Sequence, residues 1–153
     1  MIKNKKILNT VPFKYGDINF KSELEVRVYK TLIENGIEPK YEKVKYTLWK
    51  GFYPKVPFFN EIKKGVNKHI LALDKTKVMN ITYTPDFTFT YDGIFVIIEA
   101  KGYENDVFPL KKKMFRKVLE RKRGPVLFFE VYSKKQTEQA IQIIKNYVEQ
   151  NKK

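Results

Sequence analysis

The sequence predicts an α/β fold, a mixed β-sheet flanked by helices, and three observations predict it. Segments with helical and strand periodicity follow one another in the order helix, antiparallel strands, helix, strand, helix, which favours a sheet with helices packed on it. Asp92-Gly93 separates two apolar extended segments and is the dipeptide a two-residue hairpin turn demands. Val126 to Tyr132 is almost continuously apolar, as expected of a strand buried on both faces.

The elements are taken in chain order. Residues 1–19 carry no strong period and are expected to form an N-terminal arm, leaving residues 20–153 as a single domain. From Ser22 to Asn35, Leu24, Val28 and Leu32 recur every four residues and Asn35-Gly36 supplies a C-terminal stop, so this segment is a predicted helix. Tyr41 to Trp49 alternates polar and apolar residues and is a predicted strand. Gly51, Pro54, Pro57 and Gly65 make residues 50–68 expected loops or short irregular pieces. His69 to Leu73 and Val78 to Tyr91 are expected to be extended, and Ile94 to Ala100 completes the hairpin. A basic helix is predicted from about Pro109 to Arg123, with Leu110, Met114, Val118 and Leu119 as its apolar stripe and Gly124-Pro125 as its end. The last helix, about Gln136 to Gln150, should turn Ala140, Ile141, Ile144 and Val148 inward.

Composition narrows the function. Lys and Arg number 31 against 17 Asp and Glu, a formal charge of +14, which points first to a polyanionic partner. A solvated basic surface, an acidic membrane surface or an acidic protein partner are the alternatives. There is no Cys and a single histidine, His69, so thiolate zinc sites, disulfides and mechanisms with two histidines are excluded. Chemistry, if present, falls to carboxylates and lysines. No stretch of about 18 apolar residues occurs, so a cytoplasmic protein with no membrane partner is expected.

The hairpin concentrates charge. With Asp92 and Gly93 central in the turn, Tyr91 pairs with Ile94, and counting back places Asp86 opposite Glu99 with Lys101 on the same face as Glu99. Directly opposed carboxylates lie only ~5 Å apart at Cβ and repel. A divalent cation such as Mg²⁺ would relieve that repulsion, since it binds through one or two carboxylates. The plainer reading is that Asp86 starts a turn and Glu99 and Lys101 form an ordinary pair at a strand end.

These residues resemble a known family. Thr84-Pro85-Asp86-Phe87, a hairpin, and Ile98-Glu99-Ala100-Lys101-Gly102 are similar to the core motif of the PD-(D/E)XK nuclease superfamily. Adding Phe20-Lys21-Ser22-Glu23-Leu24-Glu25 and Gly93-Ile94-Phe95-Val96, the chain resembles the phage endonuclease I family of Holliday junction resolvases and small phage proteins related to it. Two extra residues between Val96 and Glu99 depart from that pattern but preserve strand parity. The resemblance covers roughly residues 20–43 and 81–123, and leaves an unassigned insertion at about 44–80. It implies a restriction-endonuclease-like fold and a Mg²⁺-dependent endodeoxyribonuclease, with Mn²⁺ able to substitute. Asp86 and Glu99 would be metal ligands, Lys101 would position or activate water, and Glu25 would be the fourth catalytic member. It further implies branched DNA as substrate, a homodimer, and a phage-infected or prophage-carrying bacterial cell. Ser22-x-x-Glu25 is also a capping box, so Glu25 keeps two readings.

Lys111, Lys112, Lys113, Arg116, Lys117, Arg121, Lys122 and Arg123 follow the active-site strand within ten residues, eight cations that lack matching acids, and are the expected DNA-backbone contacts. A solvated helix face is the competing view. Tyr103 and Phe108 would stack on opened bases or belong to the core. The alternatives to a junction-selective nuclease are a restriction-like or transposition-linked nuclease of the same fold, a noncatalytic basic nucleic-acid-binding module, and a protein-interaction factor whose charge is incidental.

Overall fold

The computed structural model describes residues 12–66, 68–102 and 107–151. Its centre is a four-stranded mixed sheet ordered β10-β9-β8-β3, formed by Lys40–Tyr41 (β3), Phe87–Tyr91 (β8), Ile94–Ala100 (β9) and Val126–Val131 (β10). Asp92 and Gly93 both adopt positive φ, +46° and +80°, the type I′ geometry whose twist matches that of the strands they join. β9 and β10 run parallel, so their connection must cross back over the sheet, and helix α2 (Phe108–Leu119) makes that crossover.

Period two divides β9 between two cores. Ile94, Val96, Ile98 and Ala100 pack with Phe87 and Phe89 against helices α1 (Glu23–Glu34) and α3 (Lys134–Asn151), whose inward residues include Val28, Leu32, Ile141 and Ile144. Phe95 and Ile97 face the other way, toward Phe108 and Phe115 of α2 and the strand pair β4 (Tyr46–Trp49) and β7 (Ile81–Tyr83). Glu99 and Lys101 continue this second row, so the sheet delivers them to the α2 side. The mixed sheet with helices on it is thus as predicted.

Several particulars differ. The strand expected over Tyr41 to Trp49 is broken into β3 and β4, and Val78 to Tyr91 into β7 and β8, because each half pairs with a different sheet. Residues 50–68 are not merely loops: Phe58–Lys63 (β5) pairs with His69–Asp74 (β6) in a regular antiparallel ribbon. β10 is an edge strand, half-buried along most of its length rather than enclosed on both faces. In α2 the buried positions are Phe108 and Phe115, and Leu110 is 60% exposed, because the apolar stripe is centred on the aromatics rather than on Leu110. The described part of the N-terminal arm forms a hairpin, β1 (Phe13–Tyr15) and β2 (Ile18–Phe20), laid on α1, with Phe20 fully buried. Residues 1–11 lie outside the described residues. Among the described residues no helix is long and apolar enough to cross a membrane.

Candidate active site

The β8–β9 ladder runs from Tyr91 with Ile94 to Phe87 with Ile98, the register the turn dictates. Asp86 and Glu99 stand one step beyond, where Pro85 has no N–H to extend the pairing. Side chains take over: Ala100 N–H donates to Asp86 Oδ2 at 2.8 Å, and Asp86 N–H donates to Glu99 Oε2 at 3.3 Å. Each carboxylate therefore satisfies the other strand's backbone, which fixes both where the sheet ends.

Glu99 is 4% exposed and Asp86 8%. The Tyr83 hydroxyl donates to Glu99 Oε2 at 2.5 Å, and Lys101 Nζ stands 2.7 Å from Glu99 Oε1. Lys101 also lies 3.6 Å from the centre of the Phe108 ring, a cation–π contact that holds the ammonium over α2. Burial, then the adjacent Glu99 carboxylate, pushes Asp86 up to about 8; the Ala100 amide and Lys101 oppose this without overcoming it. Tyr83 is raised by burial and by Glu99, so it remains a hydrogen-bond donor throughout the ordinary pH range.

Glu25 lines the same cavity, about 460 Å³ in volume, together with Lys21, Glu42, Asp86, Glu99 and Lys101. Its oxygens are already engaged: Oε2 accepts from Lys21 N–H at 3.0 Å and from the Tyr41 hydroxyl at 2.6 Å, and Oε1 meets Ser22 Oγ at 3.1 Å. Ser22 is the N-cap, accepting from Glu25 N–H at 3.2 Å. The capping arrangement is thus present in modified form, with the glutamate reaching the amide of Lys21 rather than that of Ser22. Glu25 both caps α1 and borders the cavity.

The donor set can be tested against a divalent cation. Among the described residues no three acidic or histidine side chains converge closely enough to form a metal cage. Two buried carboxylates do adjoin, one of them pushed toward its neutral form first by burial and then by the other's charge, and no described residue donates to Asp86 Oδ1. This suits a hard cation that keeps most of its waters, as Mg²⁺ does, and not one that demands a full protein shell.

The expected DNA-contacting cations do not share one face. Lys111 borders the active-site cavity. Lys112 does have an acid partner, Glu130 at 2.9 Å, contrary to the expectation that this basic set lacks one; with Arg116 and Lys122 it lines a groove beside β10, and Lys122 covers Phe95 at 3.9 Å. Lys113, Lys117 and Arg121 border a third hollow beside Leu48. Arg121, Lys122 and Arg123 lie past the end of the helix, because α2 closes at Leu119. Phe108 is buried, packed with Tyr83 and under Lys101, so it belongs to the core, while Tyr103 lies outside the described residues.

Tyr83, Lys21 and Glu42 border the site, and sequence reasoning gave none of them a role there. Tyr83 belongs to β7, whose partner is β4 rather than β9, so no hairpin count could align it with Glu99. Lys21 pairs with Glu42; burial works against its charge, but Glu42, with Asp86 and Glu25 behind it, raises its pKa. Compared with protein-family models, curated proteins and solved structures, the chain gives no significant match.

Proposed function

We propose that the chain is a divalent-metal-dependent endodeoxyribonuclease of PD-(D/E)XK type, acting on branched DNA. The observation that carries this reading is the buried cluster in which Asp86 and Glu99 cap one another's strands with Lys101 2.7 Å from Glu99. Asp86 and Glu99 would hold Mg²⁺ or Mn²⁺, which supplies charge to stabilise attacking and leaving oxygens in phosphodiester hydrolysis. The chain's own residues do the rest. Tyr83 and the Asp86 amide fix Glu99 Oε2, so the carboxylate is oriented before substrate arrives. Lys101, restrained by Glu99 and Phe108, places a positive charge at the cavity where a phosphate gains negative charge, and can hold a nucleophilic water. Lys21 and Lys111 border the same cavity and favour a polyanion there. Paired cuts at a junction need two such sites, so a homodimer belongs to the proposal.

The test is cleavage of four-way junction, flap, single strand and linear duplex in Mg²⁺ and in Mn²⁺, with Glu99→Gln and Lys101→Ala beside the wild type. Metal-dependent cutting of branched DNA by the wild type alone is expected. Binding without cutting in either metal would reject the nuclease reading and leave a noncatalytic DNA-binding module. Cutting of linear duplex at a defined sequence would instead assign a restriction-like enzyme of the same fold.

A further inference from the structure

The insertion that the active-site reading leaves without a role builds a projecting arm. β5 and β6 pair along six residues, which spans roughly 20 Å at strand rise. Every residue of β5 is exposed, and the extensive packing of either strand is with the other. An isolated two-stranded hairpin is marginal in water and needs further strands or a packed helix for stability of its own, and the fold lays neither extensively on this one.

Its chemistry identifies the occupant. Val66 at the tip is 96% exposed, more than any other large apolar side chain among the described residues. Lys63, Lys64 and Lys68 flank it along the chain, and residues 62–68 contain no acid. Lys64 N–H donates to the Lys68 carbonyl at 2.7 Å, which closes the end of the ribbon and keeps these lysines together. The arm's two carboxylates lie away from the tip and have partners of their own: Glu61, still exposed, meets His69 Nδ1 at 3.1 Å, and Asp74 at the base accepts from the Thr76 amide and hydroxyl. What the arm presents outward is positive charge around an aliphatic point, with the exposed rings of Phe58 and Phe59 behind it. Self-association through such tips would set lysine against lysine. A polyanion that offers apolar surface between its bases satisfies both features, since cationic ribbons track phosphates, aliphatic wedges enter base steps and aromatic faces accept unstacked bases.

We infer that the β5–β6 hairpin is a DNA-binding arm, its lysines on the backbone and Val66 wedged between bases at an opened or branched step. This rests on the reading of the chain as a DNA-acting protein. The arm is tied to the candidate site by chain continuity, since β6 leads through β7 to Tyr83 and then Asp86.

The experiment measures binding of a four-way junction and a matched linear duplex by the full chain in the Glu99→Gln background, so that cleavage plays no part. Salt is varied from about 50 to 200 mM, with a fluorescent base analogue at the branch. The Lys63→Ala/Lys64→Ala/Lys68→Ala variant is expected to lose about tenfold or more in affinity and to flatten the log–log salt slope by about 2 to 3. Val66→Ser is expected to keep the slope and lose the fluorescence rise that reports unstacking. An unchanged slope and affinity in the triple variant overturns the arm, as does a change confined to sedimentation, which would make it a self-association element. If the wild type binds through the arm but never cuts, only the nuclease reading fails; if it cuts junctions and tip variants bind normally, only the arm fails; no DNA binding by the wild type removes both.

Discussion

β9 and β6 are strands of similar length and similarly rich in apolar residues, yet Val96 and Ile97 are fully buried while Leu71 and Leu73 are 74% and 44% exposed. The strands differ in neighbours. β9 has a strand on each side and helices against both faces, whereas β6 has one partner strand and no helix packed extensively on it. An apolar pattern states that a face seeks cover; the topology decides whether the chain itself supplies it. In the sheet the cover is internal and immobilises two carboxylates, and in the arm the chain itself supplies none of comparable extent.

The widest separation between the two regions should appear in catalysis. Glu99→Gln is expected to lower single-turnover cleavage at least about 10³-fold, roughly 4 kcal/mol of barrier, with affinity for the junction largely kept. Loss of affinity with intact turnover would reverse the roles assigned to sheet and arm. Stability should divide the same way. Phe87→Ala, at a fully buried ring, is expected to cost about 3–5 kcal/mol in urea unfolding. Phe59→Ser in the arm should stay within about 0.5 kcal/mol. Equal costs would show that the arm is part of the cooperative core.

Gly51 sharpens the boundary. A Cβ there would stand 2.2 Å from the Val78 carbonyl oxygen, so the two backbones at the base of the arm approach as closely as only glycine allows. Gly51→Ala should cost about 1–3 kcal/mol locally. Hydrogen exchange should accelerate across residues 52–78 while residues 87–100 keep their protection.

Asp86 gives a pH dependence with a definite sign. The folded carboxyl keeps its proton up to about 8, whereas the unfolded one ionises near 3.8. The folded state therefore binds the extra proton between these values, and this stabilisation is fully present below about pH 4 and lost as pH rises through about 8. Asp86→Asn should raise the metal-free melting temperature more at alkaline pH than at pH 5, while removing cleavage. A wild-type melting temperature that climbs steadily from pH 5 to pH 8, with no divergence from the variant, would contradict this. The smallest effect is at the helix start: Ser22→Ala should cost about 1 kcal/mol in unfolding and leave cleavage near wild type.

Legibility followed the range of the determining contacts. Asp92-Gly93 specifies its own turn and hence the register, so the placement of Asp86 opposite Glu99 was readable from fourteen consecutive residues. The helices were readable from period and caps, α1 as Glu23–Glu34 within the expected Ser22 to Asn35, and α3 with its expected inward residues. Tyr83 at Glu99, Tyr41 at Glu25 and Lys112 at Glu130 were not, because each joins elements that meet only through sheet order and crossover. The arm was obscured for a different reason. Pro54, Pro57 and Gly65 read as breakers, and they do bound β5, but the strand between them needs a partner whose distance along the chain no local pattern states.

The pinch at the base of the arm has one more consequence, in chain entropy. Gly51 N–H donates to Asn80 Oδ1 at 2.7 Å and Phe52 bridges Val78, so the ends of a long excursion are held side by side. Closing a loop costs free energy that grows only logarithmically with its length, so replacing residues 52–79 with a short turn would save about 1–2 kcal/mol rather than open a gap. The excursion is thus an exchangeable module, and the segment between the two fixed posts could be lengthened, trimmed or replaced without moving the sheet that carries the carboxylates.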